Sequence, residues 1–309
     1  MIDRSSIFLQ VGDVTCVIWK ETLNLILFIG EVSSACIDAV RQPKKIRWRE
    51  TLFYMNMCGS DGLPITALIC LLTGIILGYQ CAVQMHKYGA DAFLPGLVGC
   101  SVVRELGPMM VAIVATGRAG SAFAAEIGTM KVSEEIDAMR TMGFIPERFL
   151  VIPKLIAMML MIPMLTTIGD IMGIVGGMIV GNSALGMPLQ TYYQQTVEWV
   201  KPEYFFESIF KSVIFAVIIT VTGCWRGFRT GNDSIAVGRA TTTAVVISIL
   251  FIILCDTLLA HLFNTIFFGS AIFSASESER NRAPPWYATP NCRMMARFWS
   301  PTLRTMLFP

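Results

Sequence analysis

Gly62 to Met85 contains no Asp, Glu, Lys or Arg. About 20 mostly apolar residues are what a helix needs to cross the hydrocarbon core of a bilayer. Four more stretches are long and apolar enough: Ala92–Ala125, Leu150–Gly181, Tyr204–Trp225 and Ala240–Phe263. Composition agrees: 54% of the residues are hydrophobic and 15% charged, where soluble proteins carry about a quarter charged. The expected fold class is an all-α integral membrane protein with about five transmembrane helices. A net charge of +2 gives no argument for a nucleic-acid partner.

The stretch before the first span is different. Val17–Gly30 is apolar but short and holds Lys20 and Glu21, so it is expected to lie in the interface, as an elbow helix, or to re-enter rather than to span. No compact apolar core with a small-residue cleavage site precedes it, so no secretory signal peptide is expected. Arg41, Lys44, Lys45, Arg47 and Arg49 follow and suit anionic headgroups. Loop charge sets orientation. With the N-terminus inside, the inner segments carry that cluster plus Lys131, Arg140, Arg148, Lys154, Arg226, Arg229 and Arg239. The outer segments carry Lys87, Lys201 and Lys211, a ratio of twelve to three. The expected organisation is an interfacial region over 1–61, a transmembrane domain over 62–269 and an atypical tail over 270–309. That tail is rich in Arg and Pro and reads as disordered.

Several chemistries are disfavoured. The dipeptide Gly-Lys does not occur, so no P-loop can hold ATP on this chain. HExxH and GxSxG are absent, and His86 and His261 are the only histidines, which leaves little for a metal site or a Ser-His relay. Nine cysteines at irregular spacing, without a CxxC, read as small buried hydrophobes.

Within the spans, charge is the informative feature, because each ionised group in lipid is costly and needs protein, water or headgroups. Arg104 and Glu105 lie in the second stretch beside Pro108, which has no N–H and leaves the Arg104 carbonyl without its helical partner. The two form either an interfacial pair or a polar lining of a transport path. Asp170 in the third stretch needs a donor or water. It begins a stripe of Gly169, Gly173, Gly177 and Gly181, each four residues apart, with Gly176 beside it. Such a stripe lets another backbone approach closely, within one chain or across a dimer.

Between the second and third stretches, Ser133 can cap a short helix. Glu134 and Glu135 would fall in its first turn, Arg140 near its end and Gly143 just past it, before Pro146. About nine residues are too few to persist alone in water. Val132, Ile136, Met139 and Gly143 share one face, which must dock on this chain's own spans or in a groove of a partner.

At these residues the sequence resembles the MlaE/YrbE family, permeases of ABC systems that move lipids between bacterial envelope membranes. The matching stretches are SDGLPITAL, RELGPMMVAIVATGRAGSAFAAEIGTMKVSEEIDAMRTMG, PERFLVIPKLIA and GCWRGFRTGNDSIAVGRATTTAVV, within about Leu52–Phe263. The resemblance implies a homodimeric, five-span permease in the bacterial inner membrane, with membrane lipid, usually phospholipid, as substrate. It implies a cytoplasmic ABC ATPase, which would carry the ATP and Mg, and an MCE-domain substrate-binding protein on the outer face; this chain would bind no cofactor. Glu134, Glu135, Ile136, Asp137, Ala138, Met139 and Arg140 would form the cytoplasmic coupling helix. Arg104, Glu105 and Asp170 stand as candidate polar groups of the transport path. The tail after about Gly269 matches nothing in the family. The alternative is an ion-coupled secondary transporter using Asp170 and Asp256, although five spans without a visible repeat do not divide into two halves.

Overall fold

The computed structural model describes residues 4–41 and 47–282. Five helical segments among them are long and apolar enough to span a membrane: Trp48–Lys87, Asp91–Val132, Glu147–Leu185, Pro202–Phe228 and Ser234–Thr265. They are built from helices α2 (Trp48–Met55), α3 (Leu63–Lys87), α4 (Leu94–Ser101), α5 (Gly107–Ala115), α6 (Ser121–Val132), α8 (Ile152–Leu185), α10 (Pro202–Phe228) and α11 (Ser234–Arg282). Helix α1 (Arg4–Arg41) precedes them; α7 (Glu135–Thr141) and α9 (Leu189–Trp199) lie between spans. The short apolar segment Val17–Gly30 is the middle of α1, which continues well past it on both sides. The chain divides into two units that part between Leu258 and Leu259. Residues 270–282, where the tail begins, are helical as the end of α11, and 283–309 lie outside the described residues.

The third span is the centre of the first unit. Of its most apolar window 61% is buried, against 28% for the first span and 22% for the fifth. Its glycines explain why. Gly74 of α3 meets Gly173 of α8 so closely that a Cβ on Gly74 would fall on the Gly173 backbone, and one on Gly176 would fall on the backbone around Leu71 and Ile75. Gly169 faces Cys70 and Val111, while Gly177 and Gly181 face Tyr192 and, with them, Val98 and Leu94. Every glycine of the stripe therefore has a neighbour from its own chain. The opposite face of α3 shows Leu68, Leu72, Ile76 and Val83 outward, an apolar surface that lipid can cover.

Helix α9 closes the end that loop charge places outside. Tyr192 and Thr196 are buried against the bundle, and burial pushes the Tyr192 phenol above its usual range. Trp199 lies over Gly96, with its ring 5.8 Å from that of Phe93.

Two details differ from the sequence reading. Lys154 and Lys211 are not loop charges; both are fully buried inside the bundle. Leaving them out keeps the charge asymmetry at eleven to two. Ser133 does not cap α7. Its hydroxyl donates back to the Thr129 carbonyl at 3.0 Å, and Glu134 takes a left-handed conformation (φ 61°) that turns the chain. The helix begins only at Glu135 and is 7 residues long. The reason is competition: a Ser at the end of a preceding helix finds a local carbonyl there before it can reach a donor ahead.

Candidate functional site

The regular helix of the second span is interrupted just before Pro108. Residues Val102–Leu106 form one π-helical turn immediately before α5, a distortion that proline and functional sites commonly share. The carbonyl that Pro108 cannot serve belongs to Arg104, and Lys211 of α10 takes it up: its ammonium donates to Arg104 O at 3.0 Å. The same ammonium lies 2.6 Å from Glu105 Oε2, 3.3 Å from Asp256 Oδ1 and 3.7 Å from Glu207 Oε1. Arg104 donates from Nε to Glu207 Oε2 at 3.2 Å and sets its guanidinium 5.3 Å from the centre of the Tyr204 ring. Two cations thus meet three carboxylates at one level of the bundle. Lys211 joins the second, fourth and fifth spans.

Asp170 reaches the same turn of α10 by another route. It is 1% exposed, and Ser208 donates to its Oδ2 at 2.9 Å. Its other oxygen occupies the space a Cβ on residue 107 would need, so a side chain there would displace the Asp170 carboxylate. Arg104, Glu105 and Asp170 are therefore brought to one helical turn and held by Glu207, Ser208 and Lys211. Asp256, paired in the sequence alternative with Asp170, has Lys211 as its partner, while Asp170 has Ser208.

A second buried cluster lies towards the other membrane face. Glu126 Oε1 accepts from the Tyr54 hydroxyl at 2.6 Å and from the Lys154 ammonium at 3.1 Å. Lys154 is fully buried and stands 4.6 Å above the Tyr54 ring and 5.8 Å from that of Phe123. Nearby, Arg118 of the second span pairs with Asp61, just before α3 in the first, at 3.3 Å.

Beyond this cluster is α7. Ile136 is its buried residue, 3% exposed, and joins the apolar cluster of Phe123, Val151, Leu155 and Met158. Met139 is half-buried, and Glu134, Glu135, Asp137, Ala138 and Arg140 are exposed. The helix ends as Gly143 and Pro146 suggested. Gly143 has φ +80°, its N–H bonds to Arg140 O, and the Phe144 N–H reaches back to Met139 O, the double bond of a Schellman ending. Arg140 also binds Glu147 at 3.3 Å. Past the end, Met142, Phe144 and Ile145 are more than half exposed.

Sequence reasoning did not single out Glu126, Tyr54, Glu207 or Ser208 as site residues, and counted Lys154 and Lys211 only as loop charges. A signal was present. Glu207 and Lys211 are four apart on one helix, on a face shared with Ser208 and Ser212.

The family described as Permease MlaE matches residues 51–262, which include α7 and both charged clusters. A probable ABC transporter permease protein of Rickettsia bellii is 33% identical over 250 residues, covering 80% of this chain and 96% of the relative. A probable ABC transporter permease protein of Synechocystis is 37% identical over 218 residues, 71% of this chain and 83% of the relative. The intermembrane phospholipid transport system permease protein MlaE of Haemophilus influenzae is 32% identical over 256 residues, 81% of this chain and 96% of the relative. With both the family match and relatives covered almost end to end, this chain belongs to the MlaE family of ABC transporter permeases.

Proposed function

We propose that this permease moves phospholipid, or a related hydrophobic lipid, between envelope membranes, and that a separate cytoplasmic ATPase drives it through α7. The observation that carries this reading is the way α7 is held. Ile136 anchors one face in the bundle, while the acidic face and the apolar corner of Met142, Phe144 and Ile145 stay open. A helix this short does not persist alone. Anchored on one side, it presents a ridge to a groove on a partner, the usual helix-in-groove mode. ATP and Mg belong on that partner, since this chain has no P-loop.

The lipid part of the reading is supported by the relative from Haemophilus influenzae, whose name specifies intermembrane phospholipid transport. The bundle is consistent with it: its buried lysines, Lys154 and Lys211, are paired with carboxylates, and Leu68, Leu72, Ile76 and Val83 of α3 face outward. Two copies of the chain enclose the lipid, an MCE-domain protein receives or delivers it on the outer face, and the inner membrane is the site of action. The charged cluster around Lys211 borders the lipid path, where Arg104 and Glu105 keep part of their surface open, at 20% and 36% exposure.

The test is purification of the tagged chain from native membranes in mild detergent. A P-loop ATPase is expected to accompany it and to be lost on Asp137→Arg, which reverses charge on the exposed face of α7. Phospholipid is expected in the extract by mass spectrometry. A chain that purifies alone, with transport that ignores ATP depletion, overturns the proposal.

A further inference from the structure

One carboxylate oxygen gathers three spans. Glu126 belongs to α6, at the end of the second span, and Lys154 to the first turn of α8, in the third. Tyr54 belongs to α2, which runs through the π turn Asn56–Ser60 into α3 and so to the far face of the membrane. Glu126 Oε1 binds both of the others, at 2.6 Å and 3.1 Å. Between Glu126 and Lys154 the chain holds only the end of α6, α7 and the π turn Glu147–Val151. The ion pair therefore closes the base of the α7 excursion.

The pair is hard to explain as a stabilising device. Lys154 is fully buried, and its ammonium has one carboxylate and two aromatic faces around it. Removing such a cation from water costs much of what the pairing returns, and an apolar side chain of similar volume commonly serves the fold as well. What an apolar replacement cannot supply is one fixed register between three helices, which is the best-attested use of a buried ion pair. Two further contacts lead from α7 to the same place. Ile136 enters the apolar cluster that contains Tyr54 and Phe123, and Arg140 binds Glu147, at the start of the turn that leads into α8.

We propose that Glu126, Lys154 and Tyr54 form a clamp that converts displacement of α7 into joint movement of the first three spans. This rests on reading α7 as the ATPase's grip. Glu126 is the positioning residue at the centre; Lys154 and Tyr54 hold the third and first spans to it. With the clamp intact, α7 cannot shift without carrying all three. With it broken, α7 and the ATPase still engage, but α8 and α2 follow independently.

The experiment uses the permease with its co-purified ATPase in phospholipid vesicles, with fluorescent NBD-phosphatidylethanolamine as the transported probe. The readouts are bound ATPase, hydrolysis rate and probe moved per ATP. Lys154→Met and Glu126→Gln are expected to keep ATPase binding and hydrolysis within about twofold while probe moved per ATP falls about tenfold, the size of a typical coupling energy between sites. Tyr54→Phe, which removes only a hydroxyl, gives a smaller loss in the same direction. The exchange Glu126→Lys with Lys154→Glu is expected to restore most of the ratio, which a purely steric role would not do. Lys154→Met and Tyr54→Phe complexes with the wild-type ratio would overturn the clamp and leave the proposed function standing. A wild-type complex that moves the probe without ATP would overturn both.

Discussion

The two buried clusters are made from the same kinds of residue and solve different problems. Around Lys211, one ammonium serves a backbone carbonyl orphaned by Pro108 and three carboxylates from three spans. Around Lys154, one ammonium serves one carboxylate, itself 39% exposed, beside two aromatic rings. The first is a hub whose removal strands like charges against each other in a low-dielectric interior. The second is a single link whose removal leaves a carboxylate that still has the Tyr54 hydroxyl and some access to its surroundings. A buried charge is thus not one kind of structural feature: what counts is how many groups are left unpaired without it.

The sharpest way to break this contrast is Lys211→Met. It leaves Glu105, Glu207 and Asp256 without their shared cation and takes the Lys211 donor from the Arg104 carbonyl. Removing one member of a buried charged set costs about 3–5 kcal/mol, a large part of the stability of any membrane domain. The expected outcome is a steep fall in melting temperature and in the monodisperse fraction by size-exclusion chromatography. Adding Glu207→Gln should recover part of the loss by reducing the carboxylate excess, at the expense of Arg104. A Lys211→Met protein as stable as the parent would overturn the reading of this cluster as a hub.

These features were legible in the sequence to different degrees. The spans were, because an apolar run of such length has few other folds available to it. So was the orphaned carbonyl of Arg104, which follows from the covalent structure of Pro108 alone. What filled it was not, since the donor lies 107 positions further along the chain and only the packing of α10 on the second span brings it near. Lys154 and Lys211 read as loop charges because they stand near the ends of their apolar runs. Helices longer than the bilayer is thick place such residues well inside the bundle. The glycine stripe announced a close approach but not its partner. Arg104, Glu105 and Asp170 could be singled out one by one, yet their common support on a single turn of α10 is a tertiary fact.

At the seam of α3 and α8 the expected effect is intermediate. A Cβ on Gly74 would overlap the Gly173 backbone, which cannot rotate aside. Gly74→Ala should force the two helices apart, with a cost of about 1–3 kcal/mol for overpacking. Gly117→Ala is the matched control, since nothing stands within 4 Å of its added methyl. Thermal unfolding of the two variants side by side should show a clear drop for the first and little change for the second. Equal stability would mean that α3 and α8 can separate freely, and that the first span is not registered on the third by this seam.

The smallest effect on the fold is expected at Lys154→Met. Methionine has nearly the length of the lysine stem and would lie among Tyr54, Phe123 and the apolar cluster already beside it. The lost ion pair is offset by the desolvation that no longer has to be borne, so the net change should stay within about 1 kcal/mol. Melting curves of the Lys154 and Lys211 variants, recorded in the same detergent, measure the contrast directly: a small shift for one beside a collapse for the other. If Lys154→Met also unfolds the bundle, Glu126 depends on its cation as strongly as the Lys211 carboxylates do. The inner cluster would then be a hub like the outer one, and the freedom of α7 to move against the spans would have to come from somewhere other than a single breakable link.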